Sequence, residues 1–576
     1  MRHAPGNALQ RSSLFFMALM LLITACASPD PVTQPPEAST IGTHTAVPPT
    51  TTSSSTPNPT STPNPPTATS HPPATVWVAP YLPSDFQDSL KLEADTLQSE
   101  SLEGAAYLID AGRDNPISQW VYALVAPFPT ITDGVTASEL QQAWQGAGDG
   151  PFTGIPLLMD ENTQAVFTKL WGAAGWGAVK VLPADRLETY AWGSRPSWGI
   201  VPFEELYPRW KVLTIDDLSP VRVDFDPDAY ALSVPISLVS NPDSQDTESL
   251  TGDGSPLQSV LTSNWQADKL TTVILTGVTA IVRATAETMR TRGITYPAID
   301  IVDTLRGADI THVSNEVPFT PDCPFPNPKQ PDLVFCSNPD YIELLTFIGT
   351  DVVELSGDHF SDWGPDAMRY TLDLYNEVGI PYYGGGYTEA DARKPLLIEH
   401  NGNKLAFIGC NAKGGGYATA RGENPGAVAC DFEWMVEEMA DLKAEGYLPI
   451  VTFQHFEYFT YVPQPKLIQD FHTAAEGGAV IVSGSQAHQP HGMEFYEDGF
   501  LHYGLGNLFF DQFHMGLPTG QGFLDRHVFY DGRHISTELI GIRFVNYARS
   551  RLMTPEEREE LLRSVFDASG WLSEDG

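Results

Sequence analysis

Cationic side chains are scarce in this chain: 32 Lys and Arg face 72 Asp and Glu over 576 residues, a formal charge of −40. That deficit excludes a nucleic-acid phosphate backbone as partner and disfavours electrostatic attachment to anionic lipid. A long apolar span is also lacking near the start, where the run Leu14 to Ile23 is too short to cross a bilayer as a mature helix. Cysteine is limited to 5 residues, none of them in a CxxC metal pattern. The Gly-rich stretch Lys413–Gly414–Gly415–Gly416–Tyr417 lacks the Lys-Ser/Thr ending of a phosphate-binding loop, which removes nucleotide binding from consideration. What is present is apolar content of 42%, with 11% aromatic, ample for large cores in two or three domains.

The N-terminus reads as a processing signal. Arg2 and Arg11 precede the apolar run, which ends in Ile23–Thr24–Ala25–Cys26, a segment that resembles a bacterial lipobox. Residues 1–25 are therefore expected to be a lipoprotein signal peptide and Cys26 the lipidated residue; an ordinary signal with a chance cysteine is the alternative. Ala27 after the cysteine, rather than Asp, favours surface or outer-leaflet exposure in a cell with two membranes. Residues 26–76 are mostly Pro, Thr and Ser, cannot bury a core, and predict a disordered, semi-extended tether. The expectation is an extracytoplasmic body anchored by lipid to a bacterial membrane. In an exported chain the other four cysteines suggest disulfides. Cys323–Cys336 with Cys410–Cys430 closes short loops and is the simplest of three pairings.

Residues 77–240 alternate strand-like and helix-like pieces. Val121 to Pro127 predicts a strand, Val135 to Gly146 a helix capped by Thr136 and stopped by Gly146, and Trp198 to Phe203 a further strand. The phrases "VAPFPTITDGVTASELQQAWQG" and "WGIVPFEELYPRWKVLTIDD" resemble type 2 periplasmic binding proteins. That likeness implies an α/β domain that captures a small ligand or a polymer end; a spacer module is the alternative. Residues 241–263 are polar and rich in turn formers, as expected of an interdomain linker.

Residues 264–576 carry the chemistry. Five strand-like runs follow one another: Leu270 to Arg283, Ala308 to Glu316, Thr350 to His359, Leu448 to His455 and Ala479 to Ser483. Nearly all deliver polar or ligating groups at their C-terminal ends, where open α/β sheets place their sites. The last leads into a Gly-led loop presenting His488 and His491, residues suited to a transition metal. Trp434 to Leu442 predicts an amphipathic helix with core Met and Leu positions. Thr554–Pro555–Glu556–Glu557 is a capping box opening a C-terminal helix.

In order, "TGVTAIVR", "SNEVPF", "GDHFSDWG", "HFEYF", "GSQAHQPHG" and "YGLGNLFFD" resemble the motifs of the CapA family, the poly-γ-glutamate and capsule synthesis proteins, over residues 270 to about 512. The resemblance implies a metallophosphoesterase-like α/β sandwich holding one or two divalent transition-metal ions (Mn, Fe or Zn). Carried onto this sequence, Glu316, Asp358, His455 and His488 would be metal ligands and His359 a general acid. Asp362 would orient His359 or cap the helix beginning near Pro365, the capping role being favoured. Arg283, Asn315, His491 and Asn507 would line the substrate site. The structural alternatives are a helix-capping Glu316, core histidines at 359, 455 and 488, and a surface salt bridge for Arg283.

The departures are specific. Val278 stands where the family has its first Asp, and a valine ligates nothing. Asp358 replaces the usual Asn, Asn315–Glu316 shortens the family's Asn-x-Glu, and Gln486 occupies a position where many relatives carry histidine. A two-metal centre is thereby in doubt, with a single-metal site and a metal-free relic both open. The function implied is synthesis, transport or anchoring of an anionic envelope polymer, with that polymer or its precursor as partner, the membrane reached through the N-terminal lipid, and a polymer synthase complex as a further partner. The alternative is a non-catalytic polymer- or solute-binding protein on the same fold.

Overall fold

The run Leu270–Thr276 (LTTVILT) is buried at every position, as a β-branched segment covered on both faces must be. It lies at the centre of a sheet in which it pairs in parallel with the strand Ile310–Asn315 and antiparallel with the strand Gln521–Tyr530. The strand Val352–Glu354 extends the parallel side, and the hairpin Gln521–Tyr530/Arg533–Val545 extends the other. A second sheet carries Asn403–Asn411, Leu448–Gln454, Ile481–Ser483 and Gly499–His502, all parallel. The five strand-like runs are thus divided three and two between sheets that face each other.

The computed structural model describes residues 73–243, 256–257, 263–512 and 516–572. Cys26, the segment expected to be a signal peptide, nearly all of the expected tether and most of the expected linker lie outside the described residues. Among the described residues no helix is long and apolar enough to cross a membrane.

Alternation along the strands builds the layers. Val273 and Leu275 meet Phe407, Ile450 and Ile481 of the second sheet in a shared core. Ile274, Val313 and Val353 point the other way, against Met289, Leu305, Leu344 and Leu372. On the far side Val451 and Val482 pack on Met435 and Phe471. The result is a helix–sheet–sheet–helix sandwich, each such side chain contributing roughly 1.5–3 kcal/mol by leaving water. The expected α/β class holds.

Residues 74–240 form a separate mixed sheet, in which Pro116–Pro127 pairs antiparallel with Ser233–Ser240 and with Trp198–Pro202. The helix Ala137–Trp144 has the expected Thr136 cap, completed by Glu139 as a capping box. Residues 71–576 form one compact unit. Within it, Leu270, Val528 and Tyr530 join the core of the residue 74–240 sheet, and Phe128 lies edge-on to Phe495 and Trp571. Both expected disulfides, Cys323–Cys336 and Cys410–Cys430, are formed. The helix Pro555–Ala568 opens on the expected Thr554 capping box.

Candidate active site

Parallel strands of both sheets end at the same edge, and the loops that leave them bring acidic and imidazole groups together. Glu316 directly follows the strand Ile310–Asn315, its N–H donating to Thr279 O at 2.9 Å. Asp358 and His359 follow the strand Val352–Glu354 through Gly357, where a Cβ would lie 2.7 Å from Glu316 Cα. Only glycine permits that approach, and the approach sets Asp358 beside Glu316. His488 comes from the loop after Ile481–Ser483, and Glu457 from the loop after Leu448–Gln454. Beneath them the buried Glu354 accepts hydrogen bonds from Ser356 and Ser485, tying one sheet to the other.

Two overlapping groups of ligating atoms result: Glu316, Asp358 and His359, and Glu316, Glu457 and His488. Glu316 is fully buried and neither of its carboxylate oxygens meets a hydrogen-bond donor; the carboxylate of Asp358 alone lies close enough to share a proton with it. Burial pushes its carboxyl well above the usual range, and the neighbouring Asp358 adds to the shift. A buried carboxylate with no donor costs several kcal/mol unless a proton or a cation accompanies it. His488 is held by Asn507, whose Oδ1 lies 2.9 Å from Nδ1. With the proton on Nδ1, Nε2 presents a lone pair to Glu316 Oε1 at 3.9 Å and Glu457 Oε2 at 3.8 Å. Burial lowers the His488 pKa against the opposing pull of Glu457, which keeps the ring neutral and able to ligate. These gaps suit one divalent ion with bonds of roughly 2.0–2.2 Å to each ligand. The residues present therefore fit one ion.

Lys413 closes the other side. Its Nζ lies 2.6 Å from Asp358 Oδ2 and 2.6 Å from Glu457 Oε1. Burial raises both carboxyls in isolation. The net shift is downward in both, through His359 and Lys413 at Asp358 and through His488 and Lys413 at Glu457. His359 Nδ1 donates to Asp362 Oδ2 at 2.7 Å, leaving Nε2 for the cleft. Burial alone would lower the His359 pKa, but Asp362 and Asp358 raise it. A cleft of about 750 Å³ opens over these groups, walled by Leu333, Phe335, Tyr417, Phe456 and Phe510.

The sequence-based assignments divide accordingly. Glu316, Asp358, His359 and His488 are brought together as expected. His455 is not among them: its Nε2 meets Asp470 at 3.0 Å and its Nδ1 accepts the Phe456 N–H, so it is a satisfied histidine beside the second sheet. Asp362 does not cap the following helix, whose N-cap is Trp363 without a side-chain bond; it orients His359 instead. Arg283 forms not a surface bridge but a buried pair with Asp511, at 2.9 and 2.5 Å. Asn315 spends its amide nitrogen on Val317 O and the Tyr375 hydroxyl. Asn507 is committed to His488 and to Thr519 O. His491 is buried away from both ligand groups, its pKa pushed down to about 4 by desolvation. Glu457 and Lys413 went unassigned. Glu457 lies within the "HFEYF" motif, two residues after its histidine, and Lys413 heads the Gly-rich stretch that fails as a phosphate-binding loop.

Residues 272–512 match the family model described as bacterial capsule synthesis protein PGA_cap, coinciding with the segment singled out by its motifs. The PGA biosynthesis protein CapA of Bacillus subtilis (strain 168) is 26% identical over 178 residues, 31% of this chain and 47% of the relative. The capsule biosynthesis protein CapA of Bacillus anthracis is 23% identical over 175 residues, 30% of this chain and 43% of the relative. The matches thus span less than half the length of these curated relatives. Among solved structures, the calcineurin-like phosphoesterase YfkN of Bacillus subtilis is similar at 11% identity and a TM-score of 0.28, covering 52% of this chain and 98% of that one. An ABC-type phosphate transport receptor from Vibrio cholerae is similar at 13% identity and a TM-score of 0.24, covering 30% and 88%.

Proposed function

We propose that this protein takes part in making or anchoring an anionic envelope polymer of the capsule or poly-γ-glutamate kind, through metal-dependent hydrolysis at the site of Glu316, Glu457 and His488. The observation that carries the metal reading is Glu316: a fully buried carboxylate whose two oxygens meet no hydrogen-bond donor, facing an imidazole nitrogen whose other side is fixed by Asn507. A divalent ion bound there supplies Lewis-acid activation of water and of the scissile group. The chain's own residues supply the rest. His359, oriented by Asp362 and favoured in its protonated form, directs its Nε2 proton into the cleft for the leaving group. Apolar walls at Phe335, Phe456 and Phe510 line the cleft in which the reacting bond would lie. The reading extends to location: a lipid on Cys26 would hold the site outside the cell membrane, with a polymer synthase as neighbour. Residues 77–240 would present the polymer end.

The test is elemental analysis of the purified full chain, beside Glu316→Gln and His488→Ala, followed by incubation with poly-γ-glutamate and capsular polymer. Bound Mn, Fe or Zn lost in both variants, with metal-dependent shortening of one polymer, is the expected result. No metal uptake from excess ions would end the metal reading. Metal without turnover of any polymer or phosphoester would favour a non-catalytic binding protein, a second reading supported by the buried Val278 where a carboxylate is expected.

A further inference from the structure

We infer that Lys413 holds the place of a second metal ion, so that this chain carries one divalent cation and a built-in ammonium where a two-metal centre carries a pair. The inference rests on the metal reading above and deepens it.

The first support is a count of free donor atoms. Both oxygens of Glu316, Glu457 Oε2 and His488 Nε2 are open toward one another and serve one ion. The neighbouring corner, where Glu316, Asp358 and His359 also converge, is largely spent, with His359 Nε2 its one uncommitted nitrogen. Asp358 Oδ1 accepts from Gln454 Nε2 at 3.2 Å, Asp358 Oδ2 and Glu457 Oε1 both accept from Lys413, and His359 Nδ1 is taken by Asp362. Two-metal sites place their ions roughly 3.5–4 Å apart and need ligands on both. Here the missing ligand position is Val278, packed with Ala280, Val282, Val317, Phe335 and Phe510 in an apolar cluster that coordinates nothing.

Charge gives the second support. Glu316, Asp358 and Glu457 bring three negative charges into a buried site, and one divalent ion with one ammonium balances them; two divalent ions beside Lys413 would leave the site strongly cationic. Lys413 is also fixed. Its side chain is 9% exposed, and its backbone N–H donates to Asn411 Oδ1 at 2.9 Å, while Asn411 Nδ2 donates to Ser356 O. An ammonium has three protons. Two serve the carboxylates, and the third is left for an anionic substrate oxygen in the cleft that Lys413 lines.

The experiment is a Mn²⁺ titration of the metal-stripped full chain, read by stoichiometry and by electron paramagnetic resonance. The wild type is expected to stop at one equivalent, with the six-line signal of an isolated ion. Lys413→Met combined with Val278→Asp is expected to accept a second equivalent and to show a spin-coupled signal. Two equivalents with coupling in the wild type would overturn this inference while leaving the metal reading intact; no uptake would overturn both. A folded double variant that still stops at one equivalent would overturn the role given to Lys413. Should that variant not fold, the wild-type stoichiometry and signal decide.

Discussion

Asp362 Oδ2 accepts two hydrogen bonds at 2.7 Å, one from His359 Nδ1 and one from the backbone N–H of Phe335. Burial works against a charged imidazole here, and Asp362 with Asp358 overcomes it, so the His359 pKa is raised. A raised value means the imidazolium stabilises the fold below the ordinary histidine pKa, and this contribution fades as pH rises through the raised value. Asp362→Asn should move the His359 imidazole titration, followed by NMR, toward lower pH. It should cut turnover of a hydrolysed substrate by about 100-fold. A titration midpoint that does not move would refute the pairing.

Of the Glu316, Glu457 and His488 group, Asn507 bonds to His488. Asn507→Ala frees the imidazole to rotate and to exchange tautomers, and removal of such a partner costs about 10–100-fold in metal affinity. Competition with a fluorescent chelator should show that loss while far-UV circular dichroism stays unchanged. Equal affinities would mean that the ring needs no help from the amide.

The Arg283–Asp511 pair is buried on both sides, at 9% and 5% side-chain exposure. Breaking such a pair from one side strands a charge and costs about 3–5 kcal/mol. Arg283→Met should lower the thermal midpoint markedly, and Arg283→Met/Asp511→Leu should recover much of it. A double variant no better than the single would show that the guanidinium's stacking on Phe335 and Phe510, rather than its charge, matters most.

Desolvation lowers the pKa of His312 to about 3 and that of His534 to about 3. Both stay neutral in the fold over a range where the unfolded chain binds protons, so stability rises with pH between those values and the ordinary 6.5 and falls on acidification. At pH 5 each costs about 2 kcal/mol relative to pH 7. Buried carboxyls such as Glu205, raised to about 7 by desolvation, pull the other way over this range, so the histidine effect is read by difference: His534→Phe should lose less stability than the wild type on going from pH 7 to pH 5, by about 2 kcal/mol. Equal losses in the two proteins would contradict it.

The sequence revealed most where the chemistry sits at a strand end. Glu316, Asp358 and His488 each follow a β-branched run, and the three-residue spacing of His359 and Asp362 matches the contact they make. The error at His455 has a simple cause. Successive strand residues face opposite sides, and Gln454, not its neighbour, turns toward Asp358. His455 is thereby directed to Asp470, 15 residues along the chain. Lys413 was illegible because its role depends on two carboxylates 55 and 44 residues away, brought to it by different strands. The loss at Val278 was visible in sequence, but the apolar cluster that replaces a ligand was not, since Phe335 and Phe510 join it only in three dimensions.

Phe335 stands one peptide unit from Cys336, whose sulfur is joined to Cys323. Its amide holds Asp362 and its ring lies 4.7 Å from that of His359. The His359–Asp362 pair is thus braced by a covalent staple outside the Glu316, Glu457 and His488 group. Loss of the Cys323–Cys336 bond would therefore reach the imidazole through a single intervening residue, Phe335.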